Sequence, residues 1–492
     1  MALHSAEYGD TDPMAALATL LGESALAIIR TSGKNSLELL AEVFSRPEKL
    51  LAAPGNSVVH GWIIGKDRSK IDDVLISIYR APVTYTGEDS ADISCHGGIA
   101  AAKAVLETLY SAGFRPSLHG EFTFRAFMNG KLDLTRAESV MELVSAKTGR
   151  AREHAVQRLS GTLAEEISGV KELLVQVLAG TELYLDYSED DGLSLAADPS
   201  DAAEAAGLLP DRPLAEEALK RLQTLAESYR RERLYAEGAL AVIAGRPNAG
   251  KSSLFNLLLK EDRSIVTDIP GTTRDWIEAW VSIEGIPVRL ADTAGLHASE
   301  DPVEKLGIER SRTLLEEADL ILYLIDGAEG ITTEDHEFFT NLADSNINTT
   351  QIVLLWNKAD LVSVPEKILP QLTTESPVQA LPPDIPAPLP VSARTGVGIP
   401  ELTREIAARL EQASGDGSRE VSAGLGTARQ KELVDSAAAS LNEALTLAAA
   451  GEPLDIIAPL LREGVNALGE ITGEVSTADI LETMFSRFCI GK

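Results

Sequence analysis

Only two of the 492 residues are cysteine, Cys95 and Cys489. A disulfide framework is therefore excluded, the pair cannot form a zinc site by itself, and a reducing compartment such as the cytoplasm fits best. Aromatic residues make up 5% of the chain, and basic residues are scarce: 44 Lys and Arg face 75 Asp and Glu, for a net charge of −31. That balance excludes a broad nucleic-acid-coating surface and a polybasic membrane anchor, and leaves room only for a local basic patch. Long apolar runs are also lacking, so no membrane span is expected. Met1–Asp10 has no basic stretch followed by an apolar one, and no signal peptide is expected there. Cys489 stands fourth from the end, as in a prenylation box, but Gly491 and Lys492 do not suit that motif.

What is present is globular material, 44% hydrophobic and 24% charged, in a chain long enough for about three domains. Residues 14–33 and 57–80 carry β-branched and aliphatic runs that predict strands, and Leu37–Phe44 and Ile99–Ala112 have helical spacing. Together they predict a compact α+β domain. Two carboxylates, Glu88 and Asp89, sit in the turn Tyr85–Asp89, where a helix N-terminus or solvated turn explains them as well as a site does. His96, beside two glycines, reads as structural. Gly120–Leu134 carries Phe122, Phe124 and Phe127 for a core, while Arg125 and Lys131 either face an anionic ligand or form salt bridges.

From Thr135 to about Leu185 the pattern is amphipathic and almost free of Gly and Pro, which predicts a helical domain. The helix Leu214–Ala236 then leads into the apolar runs Ala239–Ala244, Ile286–Ala291, Leu320–Ile325, Ile352–Trp356 and Leu389–Val391. These alternate with helical or loop segments, as in a mostly parallel α/β sheet, and Ile277–Ala291 reads as a hairpin adding one antiparallel edge. Helical patterns return at Thr427–Ala450, Leu454–Leu468 and Thr477–Phe488. The economical arrangement is one helical domain with the α/β domain inserted in it. The expected division is 1–130, 131–235, 236–412 and 413–492.

Gly245-Arg-Pro-Asn-Ala-Gly-Lys-Ser-Ser253 fits the phosphate-loop pattern between a strand and a helix. Asn248, Ala249, Gly250, Lys251, Ser252 and Ser253 can wrap a phosphate tail there, with Lys251 on the outer phosphates and the Ser252 hydroxyl on magnesium. Asp292-Thr293-Ala294-Gly295 ends a strand, as a carboxylate near magnesium and a glycine near the terminal phosphate should. Asn357-Lys358-Ala359-Asp360 ends another, and Asp360 can accept from both guanine N1–H and the exocyclic amine. Ser392-Ala393-Arg394 completes a guanine pocket, and Thr273 or its neighbour Thr272 supplies a switch hydroxyl within Thr267-Asp268-Ile269-Pro270-Gly271-Thr272-Thr273. The nucleotide is GTP. Leu296 follows Gly295, so no glutamine orients the attacking water. Asn248 suggests a monovalent cation beside the phosphates. Glu304 is a candidate to position water, although the residues alone favour a solvated helix carboxylate.

The chain resembles the MnmE (TrmE) family of tRNA-modification GTPases nearly end to end. The resemblance runs through Ala27–Arg30, Tyr85–Asp89, His96–Gly98, Gly120–Thr123, Arg125–Phe127, Asn129–Leu134, the GTPase motifs, Leu468–Gly473 and Phe485–Lys492. It implies an N-terminal folate-binding domain that also makes a homodimer, with 5-formyl- or 5,10-methylene-tetrahydrofolate lined by Arg30, Glu88, Lys131 and Lys492, and Cys489 near the folate in the modification chemistry. It implies potassium held by Asn248, Thr267, Ile269 and Thr272, magnesium held by Ser252 and Thr273, and water positioned by Glu304. It also implies partnership with the flavoprotein MnmG, most simply as a heterotetramer, to install an aminomethyl or carboxymethylaminomethyl group at carbon 5 of the wobble uridine of certain tRNAs. His119 and Phe124 depart from the family's usual proline and lysine. The stretches near 192–213 and 377–390 look longer than typical.

Overall fold

The computed structural model describes residues 11–190, 209–261, 277–292, 313–343, 348–362, 387–415, 424–475 and 478–491. The chain divides into two compact units: Met1–Met141 with Ala164–Lys171 and Val465–Lys492, and Glu142–Leu163 with Glu172–Gly464. Among the described residues no helix is long and apolar enough to cross a membrane.

The first unit is built on a six-stranded sheet, ordered β3-β4-β5-β2-β1-β6. Its strands are β1 (Met14–Leu17), β2 (Leu26–Ser32), β3 (Ser57–Ile64), β4 (Lys70–Tyr79), β5 (Ser90–His96) and the two-residue β6 (Arg115–Pro116). All neighbours are antiparallel except β1 and β6. Alternation decides which face is covered: Val74, Ile76 and Ile78 of β4 are buried with Leu37 and Leu40 of the helix Ser36–Glu42 and with Val105 and Leu109 of the helix Ile99–Ala112. Gly113 ends that last helix in the left-handed region at φ 117°, and the next amide, of Phe114, closes on the Leu109 carbonyl at 3.2 Å. A second cluster joins Phe124, Leu134 and Ala137 to Leu481, Phe485 and Phe488. The final helix reads as reaching Phe488 from its apolar spacing but stops at Phe485. Beyond it the chain turns so that Ile490 forms a β-bridge to His119.

The second unit carries a six-stranded sheet ordered β12-β11-β10-β7-β9-β8. Here β7 is Ala239–Gly245, β8 Ile277–Ile283, β9 Ile286–Asp292, β10 Leu320–Asp326, β11 Ile352–Asn357 and β12 Leu389–Pro390. Only the edge pair β8 and β9 is antiparallel, as the hairpin around Gly285 predicts. The central strands read as unbroken apolar runs because both faces are covered. Ala241, Ile243, Leu322, Leu324 and Leu355 pack with Leu254 and Leu258 of the helix Lys251–Glu261 and Ile406 and Leu410 of the helix Ile399–Ala413. Val242, Ala244, Ile321, Tyr323 and Leu354 pack on the other side with Phe339 of the helix Thr333–Ala343. Gly245, Asp292, Asp326 and Asn357 consequently lie at the C-terminal ends of parallel strands, the edge at which open α/β sheets bind ligands.

Candidate functional site

In the second unit the loop after β7 has the backbone that a phosphate cradle needs. Gly245 (φ 135°) passes so close to β10 that a Cβ there would lie 2.4 Å from the Leu324 carbonyl oxygen, and Gly250 takes φ 101°. Asn248 is itself left-handed at φ 65°. The Lys251 ammonium is buried and donates to the carbonyls of Gly245 at 2.8 Å and Arg246 at 2.9 Å, so it is folded over its own loop. Burial lowers its pKa, and the Asp292 carboxylate partly opposes that shift. Ser252 Oγ donates to Asp292 Oδ2 at 2.8 Å. A hydroxyl and a carboxylate side by side suit a hard divalent cation, so the residues present fit magnesium.

The base-recognition motifs converge on the same edge. Asn357 is buried; its Nδ2 donates to the Ala249 carbonyl at 2.6 Å and its Oδ1 accepts from Ala393 N at 3.0 Å, which pins the phosphate loop to the Ser392–Arg394 turn. Ala359 N donates to the Val391 carbonyl at 3.0 Å, and Ser392 Oγ donates to Asp360 Oδ1 at 2.6 Å. Asp360 is exposed. The structure thus brings together Ala249, Gly250, Lys251, Ser252, Asp292, Asn357, Asp360, Ser392 and Ala393. Thr267, Asp268, Ile269, Pro270, Gly271, Thr272, Thr273, Thr293, Ala294, Gly295 and Glu304 lie outside the described residues. Of the potassium set only Asn248 is described. It is exposed at the loop's tip.

In the first unit, Arg30 of β2 pairs with Asp92 of β5 at 3.0 Å and donates to the Gly491 carbonyl at 3.4 Å, with its guanidinium 5.8 Å from the Phe122 ring centroid. The chain end is held there by Gly120 N, which donates to the Cys489 carbonyl at 3.3 Å, and by the His119 ring, bonded at 2.9 Å to the Phe488 carbonyl. The unusual His119 therefore anchors the tail. Cys489 is exposed, while Cys95 is buried and its thiol is pushed up to about 11 by burial and by Asp72. Lys492 lies outside the described residues.

Glu88 is engaged: it accepts from Ser32 Oγ at 2.8 Å and from Arg125 Nη1 at 2.9 Å. Arg125 is buried, and Glu121 takes its other side at 2.9 Å, so salt bridges are observed at this residue. Burial alone would raise the Glu121 carboxyl, but the hydrogen bonds from Arg115 and Leu118 and the charges of Arg125 and Arg115 hold it below its ordinary value. Lys131 Nζ donates to the Pro82 carbonyl at 2.9 Å. His96 Nδ1 is bonded to Asp72 Oδ1 at 2.6 Å, in keeping with a structural histidine. Asp92 and Asp326 are missed in the sequence; Asp326 directly ends the apolar run Leu320–Ile325 and can be read as a strand-end carboxylate, whereas Asp92 has no local signal.

The profile of the MnmE helical domain matches residues 134–489, and that of the GTP-binding protein TrmE N-terminus matches residues 13–131. The chain belongs to the MnmE family. Relatives named tRNA modification GTPase MnmE include one from Treponema denticola, 41% identical over 494 residues and covering 99% of each chain. Another, from Carboxydothermus hydrogenoformans, is 39% identical over 487 residues, covering 98% of this chain and 99% of that one. Among solved structures, Era in complex with MgGDPNP and a 16S ribosomal RNA fragment is 25% identical over 41% of this chain and 66% of its own, with a TM-score of 0.28. The multidomain fold expected from the sequence is borne out in its N-terminal TrmE domain, its helical domain and its mostly parallel α/β phosphate-loop domain.

Proposed function

We propose that this chain is a GTP hydrolase of tRNA modification that is stimulated by potassium. It acts in the cytoplasm as a homodimer with the flavoprotein MnmG, and uses the one-carbon unit of 5-formyl- or 5,10-methylene-tetrahydrofolate to build an aminomethyl or carboxymethylaminomethyl group on carbon 5 of the wobble uridine. The observation that carries the nucleotide part is the convergence of Lys251, the Ser252–Asp292 pair, Asn357 and Asp360 on one edge of a parallel sheet. Lys251 brings charge to the outer phosphates, Ser252 and Asp292 offer oxygens to magnesium, and Asp360 accepts from the guanine edge. When bound, magnesium offsets the charge that develops on the transferred phosphoryl oxygens. Thr273 is the second magnesium hydroxyl in this reading, Glu304 positions the attacking water, and Asn248 with Thr267, Ile269 and Thr272 holds potassium.

Support for the folate part comes from the first unit, where Arg30 offers a partly exposed cation beside the chain end that carries Cys489. Glu88 and Lys131 complete that pocket in this reading, with Lys492 beside them, and the functional division follows 1–130, 131–235, 236–412 and 413–492. GTP turnover by the full chain in potassium against sodium at equal ionic strength, with Asn248→Ala alongside, is the direct test. A large potassium stimulation abolished by Asn248→Ala is expected. Equal slow turnover in both salts would remove the cation mechanism and favour a simple GTP switch of the ribosome-assembly type.

A further inference from the structure

None of the roles above uses the ten residues Asp326-Gly-Ala-Glu-Gly-Ile-Thr-Thr-Glu-Asp335, which lead out of β10. We propose that this segment is a brace that positions both ends of the nucleotide pocket without touching the nucleotide: Asp326 acts through Lys358 at the base end, and Asp335 acts through Arg246 at the phosphate end. The inference rests on the GTP-binding reading of the same site.

At the base end, Asp326 is buried; its Oδ2 accepts from Lys358 Nζ at 2.5 Å and its Oδ1 from Ala328 N at 3.0 Å. Gly327 N donates to the Asn357 carbonyl at 3.0 Å, and a Cβ on Gly327 would stand 2.4 Å from that oxygen. Asp326, the last residue of β10, and Gly327 after it are thus laid directly on Lys358 and Asn357 of the guanine motif. At the phosphate end, Asp335 is wholly buried. Its Oδ2 accepts from Thr332 N at 2.8 Å and Thr332 Oγ1 at 3.0 Å, and its Oδ1 from Tyr323 Oη at 2.8 Å. The same carboxylate pairs with Arg246 Nε at 3.2 Å, and Glu329 pairs with Arg246 Nη1 at 3.0 Å.

Arg246 is the second residue of the phosphate loop, and its own carbonyl is one of the two that receive Lys251 Nζ. Clamping its side chain therefore fixes the carbonyl that aims the phosphate-binding ammonium. Capping the helix Thr333–Ala343 does not need a buried charge reaching into a neighbouring loop. A buried carboxylate is costly unless paired, and here its pairing partner belongs to the phosphate cradle.

The test is the affinity of the full chain for fluorescent GDP, measured for wild type, Asp335→Asn, Arg246→Gln, their double variant and Asp326→Asn, together with the melting temperature of each nucleotide-free protein. Asp335→Asn and Arg246→Gln should each weaken GDP binding about tenfold, within the range of coupling between residues of one ion-pair network. The double variant should lose little more than either, as expected of residues that act as a unit. Asp326→Asn should weaken binding by a similar factor. GDP affinities within twofold of wild type, or losses that simply multiply in the double variant, overturn the proposal, whatever happens to the melting temperature. If Asp335→Asn does not fold, Tyr323→Phe takes its place in the cycle with Arg246→Gln, and the same coupling is required. A wild-type chain that binds no GDP overturns the GTP-binding reading itself, and that outcome is recognised before any variant is compared.

Discussion

At the scale of single residues, Gly250 is an exacting position of the phosphate loop. Its φ of 101° is strained for any side chain, and a Cβ there would stand 2.2 Å from Asn357 Nδ2. The Asn357 amide would be driven off the Ala249 carbonyl, so Gly250→Ala couples backbone strain of about 1–3 kcal/mol to loss of the tie between phosphate loop and guanine motif. GDP binding should be abolished while far-UV circular dichroism is unchanged; retained binding would mean the loop relaxes more easily than its packing implies. Asp360 sets a different requirement. An ionised carboxylate only accepts, whereas an amide also donates, so Asp360→Asn should cost about a hundredfold or more in GDP affinity and shift preference toward xanthine nucleotides, which present an acceptor where guanine has its amine. Competition between GDP and XDP measures this directly, and an unchanged preference would remove Asp360 from the base pocket.

Among elements, the helix Glu121–Met128 depends on a buried charge. Glu121 is buried and takes hydrogen bonds from Arg115, Arg125 and Leu118 N. Because its folded pKa lies below the unfolded value, it contributes stability that is fully present above the unfolded value of about 4.3 and is lost as pH falls through the lower folded value. Glu121→Gln should therefore cost about 3–5 kcal/mol at neutral pH, the scale for breaking a buried pair, and should flatten the loss of stability below about pH 5. Denaturant melts at pH 7 and pH 4 check both; a variant with the wild-type pH dependence would refute the assignment. The helix itself is hard to read in the sequence, since eight residues scarcely display a period and Phe122, Phe124 and Phe127 do not follow one stripe. Strands are easier to read, because β4 alternates and β7, β10 and β11 are unbroken apolar runs. Charge partners are not legible: Glu88 and Arg125 lie 37 residues apart, and nothing local distinguishes a carboxylate that will clamp an arginine from one left free for a ligand. The phosphate loop and guanine motif are legible for the opposite reason, since each is a short local pattern whose glycines and strand-end carboxylates have few other uses.

For the whole molecule the decisive quantity is charge. A chain of net charge −31 meets a tRNA as one polyanion meets another, so its own contacts must be confined to local basic patches. Each phosphate neutralised contributes to the salt dependence of binding, with a slope of roughly −0.7 to −0.9 per contact; few contacts mean weak binding and a shallow slope. If MnmG, the partner proposed above, supplies most of the basic surface, adding it should both tighten tRNA binding and steepen the dependence on salt. Measuring tRNA affinity between 50 and 200 mM salt, roughly the range over which counterion release is visible, separates the two contributions. The expected outcome is weak, weakly salt-dependent binding by this chain alone and strong, steeply salt-dependent binding by the complex. Tight and steep binding by the chain alone would instead require a basic patch large enough to overcome the acidic surface around it, and would move the tRNA contact from the partner to this chain.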